Sequence, residues 1–160
     1  MGQYNLLKHA GFNAHFTAGH SFGEMTALWA AGAYDEATFQ ALAKARGEAM
    51  ARKNATADAG TMLAVIASQE KVQQAIAPLQ GVSIANVNSP TQVIIAGGTA
   101  HIKAAESHLA AQGFSVIPLP VSAAFHTAYV QHAQQPFAAF LAKQRIKQPH
   151  TPVYSNTTGG

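Results

Sequence analysis

Apolar and polar residues change period several times along this chain, and each change marks an element. Residues 3–11 (QYNLLKHAG) read as a short helix that stops at Gly11. AHFTA at 14–18 reads as a strand. Gly19-His20-Ser21-Phe22-Gly23-Glu24 then opens into MTALWAAGA, an apolar helical run with its stop signal at Gly32. A further helix starts near Asp35 and runs to about residue 52, with Phe39, Leu42, Ala43 and Met50 on one stripe. The polar, alanine-rich stretch 54–60 is the best internal boundary.

Beyond it the pattern becomes regular. GTMLAVIAS is strand-like, QEKVQQAIAPL helical, VSIANV strand-like, and Asn88-Ser89-Pro90 has turn chemistry. QVIIAG is another strand, 99–112 an amphipathic helix carrying Ile102, Ala105 and Leu109 on one face, and FSVIPLP a closing strand. The order β-α-β-β-α-β over 60–119 is that of a ferredoxin-like module. Residues 126–143 read as a helix interrupted near Pro136, and PVYSN at 152–156 as a last short strand. A single strand at 14–18 flanked by helices cannot complete a parallel sheet by itself, which suggests a segment of something longer.

Composition narrows the chemistry. Of 160 residues 48% are hydrophobic and 11% charged, a globular balance rather than a disordered one. The net charge of +3 comes from basic residues scattered singly, which gives no reason to expect a nucleic-acid partner. There is no cysteine, so thiolate catalysis, disulfides and Cys-based zinc sites are excluded. No run reaches the length of a membrane span, no metal site is expected, and a cytoplasmic location fits.

The strongest chemical signal is Gly19-His-Ser-Phe-Gly23, a G-x-S-x-G turn between a strand and an apolar helix. Such an elbow holds the serine in a strained conformation and exposes its hydroxyl at a helix N-terminus, with the Phe22 N–H ready to meet an oxyanion. Ser21-x-x-Glu24 also fits a capping box, which needs no catalysis. His20 either lines the site or packs. Arg46 falls on the apolar stripe of the 35–52 helix, where it is half of a salt bridge, a snorkelling side chain, or a guanidinium aimed at a carboxylate. Eight histidines compete for the role of base. His126 stands out because it follows the strand VIPLP and opens the next helical run. Asp35 suits a helix cap and Asp58 lies in the polar loop, so neither aspartate reads as the third member of a triad.

Five segments occur together in one order: GHSFGE (19–24), the arginine of ARGEAM (45–50), NVNSPTQVIIAG (86–97), SAAFH (122–126) and PVYSNTTG (152–159). In this the chain resembles the malonyl-CoA:acyl carrier protein acyltransferase family, with a flavour close to the acyltransferase domains of polyunsaturated fatty acid synthases and type I polyketide synthases. The resemblance implies an α/β fold: an α/β-hydrolase-like large subdomain, incomplete here, with an inserted ferredoxin-like small one. Residues 1–58 and 120–160 would belong to the large subdomain and 59–119 to the small one. It implies Ser21 as nucleophile, His126 as base, Phe22 N–H as an oxyanion donor, Arg46 as the carboxylate clamp, and His20, Phe125 and Asn88 on the substrate pocket. Ala123 stands where malonyl-selecting members usually carry histidine.

The resemblance also implies malonyl-CoA as substrate and an acyl carrier protein, through its phosphopantetheine thiol, as acceptor, with neighbouring synthase domains as partners and no permanently bound cofactor. It covers roughly the middle half of the family domain. A Gly-Gln-Gly segment with the second oxyanion N–H and a group orienting the histidine would fall outside residues 1–160, so slow transfer by this chain alone is expected. Two other functions fit parts of the pattern: a serine hydrolase on the same elbow, or a module that only docks a carrier protein.

Overall fold

The computed structural model describes residues 2–51 and 58–158. Along the chain run α1 (Gly2–His9), β1 (Thr17–Ala18), α2 (Gly23–Ala30), α3 (Glu36–Met50), β2 (Thr61–Ile66), α4 (Gln69–Ile76), β3 (Val82–Ser89), β4 (Gln92–Gly97), α5 (Thr99–Ala111), β5 (Ser115–Pro118), a 3-10 helix (Ala128–Ala133), α6 (Gln134–Leu141) and β6 (Val153–Tyr154). They form two compact units, 1–48 with 136–160, and 49–135. Most of the expected boundary loop, 54–57, lies outside the described residues.

The 49–135 unit holds a four-stranded sheet in the order β3-β4-β2-β5, antiparallel at every pairing. The β-α-β-β-α-β order expected from the sequence is the one observed. Leu63, Val65, Val93 and Ile95 face α4 and α5, where Val72, Ile76, Ile102, Ala105 and Leu109 complete a buried core. Met62, Ala64, Ile94 and Ala96 point the other way and pack against Ala124, Leu119, Val121, Phe125 and Tyr129. Burial on both faces explains why these strands read as unbroken apolar runs rather than alternating ones. The second face is covered by the segment that carries His126.

The other unit pairs β1 with β6 in parallel, Thr17 opposite Val153 and Ala18 opposite Tyr154. Its apolar cluster is Ala33, Tyr34, Phe39 and Leu42, joined by Leu28, Trp29, Phe137 and Phe140. Buried Thr17 donates its hydroxyl to the Ala27 carbonyl at 3.1 Å, which ties β1 to α2. Asp35 caps α3 as expected: its carboxylate accepts the Thr38 N–H at 2.8 Å, and that bond holds its pKa below the ordinary value.

Three expectations need correction. The 14–18 strand shrinks to Thr17–Ala18, because β6 pairs with those residues alone. Asn88 and Ser89 extend β3 instead of turning; the reversal is Pro90-Thr91, and Ser89 already pairs with Gln92. The run 126–143 is not one helix broken at Pro136. His126 has φ 61, which no α-helix accepts, a 3-10 turn follows, and the junction is at 133–134. Pro136 sits in the first turn of α6, where its missing N–H costs nothing.

Candidate active site

β1 ends at Ala18 and α2 begins at Gly23, leaving four residues to reverse the chain. Ser21 makes that reversal with φ 54, a left-handed conformation that costs a non-glycine residue about 1–3 kcal/mol. The turn is closed by the Gly23 N–H on the His20 carbonyl at 2.8 Å and the Glu24 N–H on the Ser21 carbonyl at 3.2 Å. A Cβ on Gly19 would overlap the Gly23 carbonyl, so the turn can be this tight only with glycine at 19. Gly23 is different: a Cβ there would meet nothing within 4 Å. Its backbone, not its missing side chain, is what Gly19 accommodates.

The capping-box alternative does not survive this geometry. A capping serine needs an extended backbone, and Ser21 is left-handed. The Glu24 carboxylate is engaged elsewhere: its Oε1 accepts the Asn156 N–H at 2.8 Å and the Asn156 side-chain amide at 3.1 Å. The same amide donates a short bond to the Gly19 carbonyl. Phe22 has ordinary helical dihedrals at the N-cap of α2, and its N–H has no backbone acceptor among the described residues. It stands beside Ser21 at the positive end of the helix.

Arg46 is placed by the same elbow. The Phe22 ring packs edge-on to Phe39, centroids 5.9 Å apart, and the Arg46 guanidinium lies 5.6 Å from its centroid. Arg46 is half-buried and, among the described residues, has no carboxylate partner; the ion pair of α3 is Lys44–Glu48 at 3.8 Å. The salt-bridge alternative for Arg46 is therefore set aside. His20 is exposed on the elbow next to Ser21.

In the other unit His126 caps an equally constrained turn. It is exposed, with φ 61. Ala124 beside it is fully buried and donates its N–H to the Ala59 carbonyl at 2.9 Å. The Thr127 hydroxyl donates to the Ala124 carbonyl at 2.6 Å and accepts the Tyr129 N–H at 3.2 Å, closing the turn on both sides of His126. Gly60, at φ +72, leaves the room: its Cβ would lie 2.7 Å from that of Ala124. Phe125 is half-buried against the sheet core.

Two features escaped the sequence reading. Asn88 is exposed on the hairpin, donating to Gln92 Oε1 at 3.1 Å. Asn86, two residues earlier, pairs with Ile94 and so shares the sheet face under the His126 segment, and its Oδ1 is shut off from solvent. Strand parity points the other way, since Val82 and Ile84 face the helices; the register shift between Ile84 and Asn86 turns Asn86 to this face. Asp58 is not a bystander in a loop: it accepts the Thr99 N–H at 2.8 Å, the Thr99 hydroxyl at 2.6 Å and the Gly60 N–H at 2.9 Å. It caps α5 from 41 residues away, which no local pattern reveals.

A model of the acyl transferase domain matches residues 1–160, the whole chain. The chain belongs to the acyl transferase domain family. The malonyl CoA-acyl carrier protein transacylase of Synechocystis is 39% identical over 153 residues, covering 95% of this chain and 50% of that protein. A polyunsaturated fatty acid synthase polypeptide of Thraustochytrium is 35% identical over 162 residues, 99% of this chain and 6% of that much longer one. The crystal structure of the acyltransferase domain of an iterative polyketide synthase in enediyne biosynthesis superimposes with a TM-score of 0.89 at 31% identity, over 99% of this chain and 42% of that one. The chain thus spans about half the length of the Synechocystis relative. Its mixed α/β architecture is that of acyltransferase domains. Among the described residues no helix is long and apolar enough to cross a membrane.

Proposed function

We propose that this chain carries the nucleophile, base and carboxylate clamp of a malonyl-CoA:acyl carrier protein acyltransferase. The observation that carries the reading is Ser21 at φ 54 in a turn that only Gly19 permits, at the N-terminus of α2. The Ser21 hydroxyl attacks the thioester carbonyl of malonyl-CoA while His126 takes its proton. The Phe22 N–H donates to the oxyanion. The carbon–sulfur bond breaks, the coenzyme A thiolate takes the proton from His126, and a malonyl ester remains on Ser21. The phosphopantetheine thiol of the carrier protein then gives its proton to His126 and attacks that ester; the carbon–oxygen bond breaks, the Ser21 oxygen takes the proton from His126, and malonyl leaves as a thioester on the carrier.

Arg46 grips the free carboxylate of the malonyl group, a bidentate task for which its guanidinium is uncommitted among the described residues. His20, Phe125 and Asn88 are the remaining residues we assign to the substrate pocket. In this reading residues 1–58 and 120–160 form an α/β-hydrolase-like large subdomain and 59–119 an inserted ferredoxin-like one. The protein works in the cytoplasm in fatty acid or polyketide synthesis, beside other synthase domains, with coenzyme A thioesters as substrates and no permanently bound cofactor.

The test is partition between thiol and water. With malonyl-CoA and a holo carrier protein, malonyl should accumulate on the carrier faster than free malonate forms. Malonate release that ignores the carrier would make the protein a serine hydrolase, and binding of the carrier without acyl transfer would make it a docking module.

A further inference from the structure

The motif PVYSNTTG has no part in the chemistry above, yet its asparagine reaches the nucleophile turn. Asn156 follows β6, which lies beside β1 in the parallel pair, and so arrives next to the residues that follow β1. From there it makes three hydrogen bonds to the elbow. Its side-chain amide donates to the Gly19 carbonyl and, at 3.1 Å, to Glu24 Oε1; its backbone N–H donates to the same Oε1 at 2.8 Å. Gly19 and Glu24 are the two ends of the turn whose middle is the strained Ser21.

We infer that Asn156 and Glu24 form a clasp that fixes the nucleophile turn, making both of them positioning residues for Ser21. A left-handed serine persists only where its surroundings over-determine it. The backbone turn supplies part of that through the His20 and Ser21 carbonyls. The clasp adds to it by pinning the entry carbonyl and the first turn of α2 to one side chain. Relaxation of Ser21 toward a right-handed conformation would swing its hydroxyl and the Phe22 N–H together, so nucleophile and oxyanion donor would be lost at once. Glu24 acts here as an acceptor of two bonds, not as a charge. A glutamine in its place still offers Oε1, whereas an aspartate in place of Asn156 removes both amide donors and sets a carboxylate against Glu24.

This inference rests on Ser21 being the nucleophile, and the experiment separates the two. Single-turnover acylation of Ser21 by malonyl-CoA, followed by mass, is compared in the 160-residue chain and its Asn156→Asp and Glu24→Gln variants, with hydrogen exchange of peptides covering 19–24 and a melting curve. Asn156→Asp should slow acylation at saturating malonyl-CoA by about tenfold or more, with the half-saturating concentration little changed, and should speed exchange in the turn. Glu24→Gln should retain most of the rate and protection. Unchanged rate and exchange in Asn156→Asp would overturn the clasp, as would a Glu24→Gln variant as damaged as Asn156→Asp. If the unsubstituted chain takes up no malonyl even on prolonged incubation, the nucleophile reading fails, and exchange in the two variants alone decides whether the clasp holds the turn.

Discussion

Replacing Arg46 with alanine separates a substrate clamp from a structural cation. In the fold Arg46 contacts the Phe22 ring at 5.6 Å and has no carboxylate partner among the described residues. A cation over a ring at a half-exposed position contributes about 0.5–1 kcal/mol. Alanine and arginine are both good helix formers, so α3 itself loses little. The melting temperature should therefore fall by a few degrees at most. A carboxylate clamp would be worth more to the reaction: a hydrogen bond to a charged group contributes about 1.5–3 kcal/mol, which is roughly ten- to a hundredfold in kcat/KM. Malonyl-CoA has the free carboxylate and acetyl-CoA lacks it. The expected result is malonyl transfer reduced by that factor with acetyl transfer spared or improved, measured as kcat/KM for both thioesters alongside the melt. Arg46→Lys should recover only part of the malonyl rate, since an ammonium keeps the charge and loses the fork. Equal losses for the two substrates together with a melt lowered by about ten degrees would refute the clamp and return Arg46 to a structural role.

Two further substitutions probe how the turns are held. Gly19→Ala forces a Cβ into the Gly23 carbonyl, so the elbow must open; Ser21 acylation should fall by at least about a hundredfold, while Gly23→Ala, whose Cβ meets nothing, should be far milder in the same assay. Asp58→Ala strips α5 of its cap and frees the Gly60 N–H, and should lower stability to denaturant by about 1–2 kcal/mol, where an unchanged midpoint would show that water replaces the carboxylate at no cost.

What the sequence made legible was local. The elbow was readable because strand, glycine-flanked serine and apolar helix are adjacent, and the β-α-β-β-α-β order because each element carries its own period. Arg46 was half-readable: helical spacing put it on the apolar stripe, but only packing of Phe22 against Phe39 shows what the guanidinium lies over. His126 was singled out by its place after a strand, whereas its left-handed backbone was missed, because neither a β-branched pattern nor a glycine announces it. Asn156 and Asp58 were beyond reach. Their partners lie 132 and 41 residues away, and Glu24 in particular had a plausible local partner in Ser21 that it does not use in this way. Turn chemistry also placed the reversal too early at Asn88, where β3 runs on to Ser89 through two register irregularities.

The central claim is that Ser21 takes the acyl group. Incubation with malonyl-CoA, rapid quenching at acid pH and peptide mapping by mass spectrometry should find a malonyl ester on the peptide containing Ser21. The adduct should disappear on adding a holo carrier protein and be absent from Ser21→Ala. A malonyl adduct of undiminished amount in Ser21→Ala, mapped to another residue, would contradict the account.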